Sequence, residues 1–515
     1  MINRRSSREE KAASVSPTAA PLLGATMERK EGKPVRRVVA ALRDPKLSVL
    51  AVLVLTVLIL MNRKSPAGPP RGFVVRGSRS QYTKVPDECR KRFYIEDGNK
   101  FRRTMIRAFR SRGWIKSNDS KHAQFIWDKG ASSEQFDKLL AWHRYNQLPG
   151  FRAWDTKDGF IVGFEKYREK NPNADLSMIP ESYLLTTKKG RAEFSKRLFQ
   201  GGGLQVPWVL KMHNVNNGLG IQMLGPNSEE LKSVLEKVGE SDEDYIIQNF
   251  ICNELTWWGG RKFDLRFYWM VASVDPLIVL YHDGYARVGN SVYQESDFSS
   301  TKQHLTTHTF LANEEKGTAD ELRELIQYHY KQNYWDLRKR IKIDPFEHVR
   351  NQFKQSIALT ADAFRDVTFG NDKRKYRAEN SWAFYGVDFV IDNDLDVWYI
   401  EAQAGPGLEE EFDFRVELHR DLLRSAIDIV EEIQLKQEAD AEANLLPLQS
   451  LGGWEIVYAG NGDDNWMYHY DGYSRPEEKV GCDLSARPPK TQKVRPRSRK
   501  TGKKRDKSSV NQVSP

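Results

Sequence analysis

The chain has 515 residues, 39% hydrophobic and 29% charged, with a formal net charge of +10. That length leaves room for two or three domains at roughly 150 residues each, and the composition excludes a wholly disordered chain, a collagen-like repeat and a multi-span membrane protein. The charge is concentrated: residues 484–515 carry eleven Lys or Arg against Asp506, and the other 483 residues balance at 69 of each sign.

Residues 1–46 hold eleven basic and five acidic residues among Ser, Ala and Pro, which predicts a disordered basic arm. Residues 47–61 (LSVLAVLVLTVLILM) run without a charge between Lys46 and Arg63. With snorkelling lysine and arginine at its ends, this run is expected to be a single-pass membrane anchor. The basic excess before it favours a cytoplasmic N-terminus, while Arg63, Lys64, Arg71, Arg76 and Arg79 argue the reverse, so charge does not orient the segment. The alternative is a chain of the cytoplasm and cytoskeleton. Residues 62–88 read as a linker. Cys89, Cys252 and Cys482 lie far apart with no CxxC pair, so neither a disulfide framework nor a cysteine zinc site is expected.

From about residue 89 to 435, apolar runs alternate with turn signals, as in an α/β body. Residues 207–224 (PWVLKMHNVNNGLGIQML) read as two short strands around an Asn/Gly-rich loop, with Lys211 ending the first. Glycine lets backbone amides approach a phosphate, and Lys211 adds positive charge; a plain hairpin has the same pattern. Residues 260–272 (GRKFDLRFYWMVA) read as a strand with Phe263, Leu265, Phe267, Trp269 and Val271 on one face. The other face carries Lys262, Asp264, Arg266 and Tyr268, either a mixed-charge outer surface or a polar cavity with cations aimed at phosphate or carboxylate oxygens.

Asp283-Gly284, between apolar runs 277–282 and 285–288, predicts a primed hairpin turn with Arg287 beyond it. Thr318 and Glu321 form a capping-box pattern opening a helix over roughly 319–342, and a second helix is expected over 347–365. Residues 384–391 and 397–402 read as an antiparallel pair about the polar turn 392–396. Glu401 and Gln403 then share a face, with Asp388 on the partner strand. Acids inside such apolar strands need compensation, either by buried salt bridges or by a divalent cation such as Mg²⁺. Aromatic residues between 446 and 480 suggest that this stretch folds back on the body.

Several segments, in order and spacing, resemble the tubulin–tyrosine ligase-like family, a branch of the ATP-grasp fold. They are RSRGWI (110–115), YNQLPGFRAWDTKDGF (145–160), WVLK (208–211), NGLGI (217–221), YIIQNFI (245–251), GGRKFDLRFYWMVAS (259–273), GYARVG (284–289), HLTT (304–307) and YGVDFVIDNDLDVWYIEAQAGPGL (385–408). The resemblance covers about residues 90–430. It implies an α/β (α+β) ATP-grasp fold with mostly antiparallel sheets and packed helices between disordered arms. It also implies a domain division into an N-terminal α/β domain at 89–190 and a catalytic domain at 191–435; composition adds an extension at 436–483 and a disordered basic tail at 484–515.

The implied activity is ATP-dependent ligation of an amino acid (tyrosine, glutamate or glycine) to a carboxylate of tubulin or another acidic protein, through an acyl phosphate, with Mg²⁺. Carried over by matching motif, Lys211, Lys262 and Lys157, with the Gly218 and Gly220 backbone, attend the ATP phosphates. Gln248, Asn249, Phe250 and Ile251 line the adenine pocket, and Asp264 the ribose side. Arg266 and Arg287 orient carboxylate and acyl phosphate, while Asp388, Glu401 and Gln403 carry magnesium. Two positions depart from the family pattern: Gln403 and Thr307 each stand where an Asn is usual. They motivate an alternative, a nucleotide-binding pseudoenzyme docked on microtubules or membranes. The tail lacks the aromatic interleaving of single-strand binders, so nucleic acid is not an expected partner.

Overall fold

The computed structural model describes residues 68–77, 83–99, 101–128, 133–150, 152–212, 215, 218–240, 245–306, 315–369, 380–408, 413–461, 464–471 and 475. All of them belong to one compact unit. The expected basic arm, the apolar segment 47–61 and the basic tail lie outside these residues. The expected membrane anchoring is corrected: among the described residues no helix is long and apolar enough to cross a membrane.

The first part is a small parallel sheet, in the order β2-β1-β3-β4, built from β1 (Arg92–Ile95), β2 (Ile115–Lys116), β3 (Phe125–Trp127) and β4 (Arg144–Tyr145). Between them run α1 (Arg102–Ser111) and α2 (Ser133–Asp137). Then come α3 (Arg152–Asp155) and α4 (Lys157–Lys170), the latter capped by Thr156, whose hydroxyl accepts from the Gly159 amide.

A second, fully antiparallel sheet has the order β5-β8-β6-β7, with β5 (Ser182–Leu184), β6 (Trp208–Met212), β7 (Ile221–Leu224) and β8 (Tyr245–Asn249). Helices α5 (Lys188–Gln200) and α6 (Glu229–Glu240) cover it through Phe194, Leu198, Leu231 and Val234. The expected pair of strands around the glycine-rich loop is β6 and β7, with Lys211 opposite Ile221.

The third sheet is the largest: β9 (Arg261–Val274), β10 (Leu277–Val292), β11 (Glu315–Gly317), β12 (Ala383–Ile391), β13 (Val397–Gln403), β14 (Glu455–Asn461) and β15 (Asp464–Met467). Its order is β13-β12-β9-β10-β14-β15, with β11 paired to β10. One face buries Phe263, Leu265, Phe267, Trp269 and Val271 against α7 (Ala319–Gln332) and α9 (Pro345–Phe369). Burying side chains of this size is worth roughly 1.5–3 kcal/mol each. The opposite face shares a core with α10 (Asp413–Ala439), through Leu423 and Ile427, and with the parallel-sheet layer, through Phe93 of β1 and Phe109 of α1.

Three expectations differ from what is observed. The capping box at Thr318–Glu321 is present, but α7 stops at Gln332. Asn333 caps it, its amide and side chain both donating to the His329 carbonyl, and a short α8 (Tyr334–Leu337) follows. Cys252 is disulfide-bonded, whereas Cys89 is a buried free thiol.

The third difference carries most consequence. Asp283-Gly284 is not a hairpin turn but a β-bulge inside one long strand, β10, which pairs with β9 on both sides of it. Two apolar runs around Asp-Gly fit either arrangement; here both found the same partner. A Cβ at Gly284 would sit 1.8 Å from the Arg266 carbonyl oxygen, so only glycine fits. On the helix side, Asp283 accepts from Arg350 Nε at 3.0 Å, and Arg350 also donates to Glu455 at 2.6 Å. The extra residue inverts the facing of the strand. Before it Val279 and Tyr281 point into the α9 core; after it Ala286 and Val288 do, which leaves Arg287 on the other face.

Candidate active site

The cleft lies between the second and third sheets. Its cavity of about 270 Å³ is lined by Lys157, Lys211, Gly218, Gln248–Ile251, Lys262, Asp264, Arg266, Arg287, Asp388, Glu401 and Gln403. Of the residues expected from sequence, only Gly220 does not line it. That glycine keeps the loop closed instead, at φ +67°, where a Cβ would meet Met212. Thr307 lies outside the described residues.

Strand register accounts for the convergence. Glu401 on β13 stands opposite Asp388 on β12, which stands opposite Arg266 on β9; on the next pair Asp264 faces Arg287 on β10. Directly opposed side chains lie within reach of one another, so the register writes a charged row across four strands. Arg266 grips Asp388 in a fork, Nε to Oδ1 at 2.6 Å and Nη2 to Oδ2 at 3.1 Å. Arg287 Nε donates to Asp264 Oδ1 at 2.7 Å, and its Nη2 reaches Asp388 Oδ2 at 2.9 Å. Burial alone would raise the Asp388 pKa, but the two guanidiniums hold the carboxyl at about 2. Burial works against Arg266 and Arg287 too, yet the facing carboxylates leave both pKa values above the ordinary arginine value.

The other side of the cleft is built differently. Lys211 donates to Gln248 Oε1 at 2.6 Å, and Lys157, in the first turn of α4, donates to the Val215 carbonyl at 3.1 Å. Among the described residues neither lysine has a carboxylate within ion-pair distance. Burial lowers the Lys211 pKa to about 8, with Lys157 adding to the fall and Glu401 and Asp388 opposing it. Lys262 is a third case, because it forms an ion pair with the buried Glu254.

The possible metal ligands divide in the same way. Both oxygens of Asp388 are occupied by arginine. The Gln403 amide oxygen accepts from Arg266 Nη2 at 3.1 Å while its nitrogen donates to Glu401 Oε1. The second oxygen of Glu401 has no partner among the described residues. A carboxylate oxygen of that kind is a hard ligand suited to Mg²⁺. The set therefore fits a divalent cation through Glu401, while Asp388 behaves as a buried salt bridge. For a nucleotide base, Val209, Met223, Val390 and Ile400 from the two sheets and Ile251 and Leu305 from loops line the same cavity and supply apolar walls.

Sequence reasoning missed Glu254, an acid in the apolar stretch ICNELTWW, although the argument used for Asp388 applies to it equally. It also left out His304, which lines the cleft with its ring stacked on Phe298. A triad Asp392, Asp394 and Asp396 clusters in the β12–β13 turn. Asp392 there accepts from the Asp394 and Asp396 amides and Asp396 pairs with Arg340, so the cluster closes the turn.

The sequence profile of the tubulin-tyrosine ligase family matches residues 134–439, more than half of the chain. Among curated relatives, the tubulin glycylase 3C of Tetrahymena thermophila is 24% identical over 49% of this chain and 22% of its own length. The human tubulin polyglutamylase TTLL7 is 24% identical over 66% of this chain and 39% of its own. The human inactive polyglycylase TTLL10 is 26% identical over 77% of this chain and 64% of its own. The chain thus spans less than two thirds of the length of each of these relatives.

Proposed function

This chain belongs to the tubulin-tyrosine ligase family, whose fold is of the ATP-grasp type, and on that premise we propose that it is an ATP-dependent ligase joining an amino acid to a carboxylate of tubulin or another acidic protein. The observation that carries the proposal is the charge left over once the cleft's ion pairs are made. Among the described residues Lys157 and Lys211 have no carboxylate partner and one Glu401 oxygen is open, and apolar walls lie in the same cavity. Two lysines offer positive charge to a polyphosphate, and an open carboxylate offers a ligand to its counter-cation.

In this reading the base lies against Val209, Met223 and Ile400, beside the 248–251 backbone, with its phosphates toward Lys211 and Lys157. Glu401 would hold the magnesium ion directly, and Asp388 and Gln403 would reach it through water. When bound, that ion screens phosphate charge and draws electron density from the γ-phosphorus. Arg287 is the residue to receive the acceptor carboxylate, because its Nη1 makes no hydrogen bond among the described residues. The acceptor oxygen attacks the γ-phosphorus, the bond to the β–γ bridging oxygen breaks, and ADP departs. The incoming amine then attacks the acyl carbon; the carbon–oxygen bond to phosphate breaks, and nitrogen gives up a proton. Arg266 and Arg287 spread the negative charge in both steps.

A second reading, a nucleotide-binding protein without ligase activity, draws on the saturation of Asp388 and Gln403 by arginine. One experiment separates the two. Purified protein is incubated with tubulin, MgATP and labelled tyrosine, glutamate or glycine. ATP-dependent label on the acceptor, lost in Glu401→Gln, is the outcome expected of the ligase; intact ATP binding with no label on any acceptor favours the second reading.

A further inference from the structure

Outside the residues that line the cleft, at the junction of α7 and α8, the surface carries an aromatic group that the core does not use. Trp335 is 68% exposed and Tyr334 is 43% exposed. Tryptophan is among the most buried side chains on average, so a solvated one calls for an explanation by function. Arg338 sits over this pair, its guanidinium carbon 4.3 Å from the Trp335 ring centroid and 5.6 Å from that of Tyr334. Tyr334 and Trp335 meet edge to face at 5.6 Å. Contact with the rings restrains the guanidinium, and the side chain is exposed, so its N–H groups are available to a carboxylate.

The surrounding charge is positive on balance. Lys331, Arg338, Lys339 and Lys342 are exposed here against Asp336, which lies 3.9 Å from Lys339, and Asp344, so four positive charges face two negative ones. The chain before its basic tail is balanced in sign, so this excess is local. Trp, Tyr and Arg are also the residue types that dominate protein–protein hot spots.

We infer that Trp335, Tyr334 and Arg338 with their flanking lysines form a second docking site for an acidic, carboxylate-rich protein segment, separate from the catalytic cleft. The inference rests on the ligase reading only for its choice of an acidic acceptor. Such a site holds the acceptor protein by a part that is not modified and raises the concentration of its reactive carboxylate at the cleft.

The test uses the full chain and a fluorescein-labelled deca-glutamate peptide, followed by anisotropy at low salt. Trp335→Ala and Arg338→Ala should each weaken peptide binding at least about tenfold, with MgATP affinity unchanged, and excess MgATP should not displace the peptide. Wild-type peptide affinity in Trp335→Ala overturns the site. So does loss of peptide binding in Lys211→Met, which would put the peptide in the cleft, or Trp335-dependent capture of phosphatidylserine vesicles without capture of peptide. Trp335-dependent peptide binding in a protein that labels no acceptor upholds the docking site and removes the ligase reading alone.

Discussion

The arginine row and the lysine pair occupy one cleft and follow opposite rules. Arg266 and Arg287 are bound into carboxylates across neighbouring strands, so their charges are compensated within the sheet and only Arg287 Nη1 stays open to a ligand among the described residues. Among the described residues Lys157 and Lys211 meet only a carbonyl and an amide oxygen, and their charges remain available. The difference teaches which charges hold the sheet together and which await a partner. A buried ion pair is costly to break from one side, whereas a half-buried lysine can be removed with little effect on the fold.

That contrast can be broken most violently at the bulge and the row. Gly284→Val should prevent folding or shift the register of β10, because even a Cβ collides with the Arg266 carbonyl; soluble yield and the far-ultraviolet spectrum report it. Arg266→Met leaves the buried Asp388 carboxylate with Arg287 alone and should cost about 1.5–3 kcal/mol in denaturant unfolding, the worth of a lost charged hydrogen bond. Lys211→Met should leave the unfolding midpoint nearly unchanged, losing about 1 kcal/mol or less from the Gln248 hydrogen bond, while weakening ATP binding about ten- to a hundredfold. Equal loss of stability in the two variants would erase the distinction between row and pair.

Titration sharpens it further. Lys211 carries its charge below its pKa of about 8, so ATP affinity should decline as pH rises through that value, and Lys211→Arg should flatten the decline. Asp388 has the opposite sign. Its folded pKa of about 2 lies below the usual carboxylate range, so its stabilisation is present above about pH 4 and is lost as pH falls toward 2. The smallest expected effect is that of Gln403→Asn, a change of a few-fold in magnesium dependence, because the shortened amide loosens its bond to Arg266.

The period-two alternation of β9 made the core face of the central strand legible, since no other backbone sends five apolar and four polar side chains to opposite sides. The β12–β13 pair was legible for the same reason, and so was the gathering of lysines, arginines and acids in one place. What could not be read is who pairs with whom. Asp388 looked equivalent to Glu401, and only the register of four strands reveals that the first is saturated by arginine and the second is not. The bulge escaped because a strand interrupted by Asp-Gly and a hairpin turn share one pattern, and the Arg350–Asp283 contact that supports the bulge spans 67 residues. The early end of α7 turns on a single asparagine whose side chain competes for a helix carbonyl.

The central claim, that Glu401 and the two lysines are the open ends of the cleft, is tested most directly by calorimetric titration of ATP with and without magnesium into the wild-type protein and Glu401→Gln. The account predicts that magnesium tightens ATP binding in the wild type and has no such effect in the variant, with both proteins equally stable. The same magnesium response in both would contradict it.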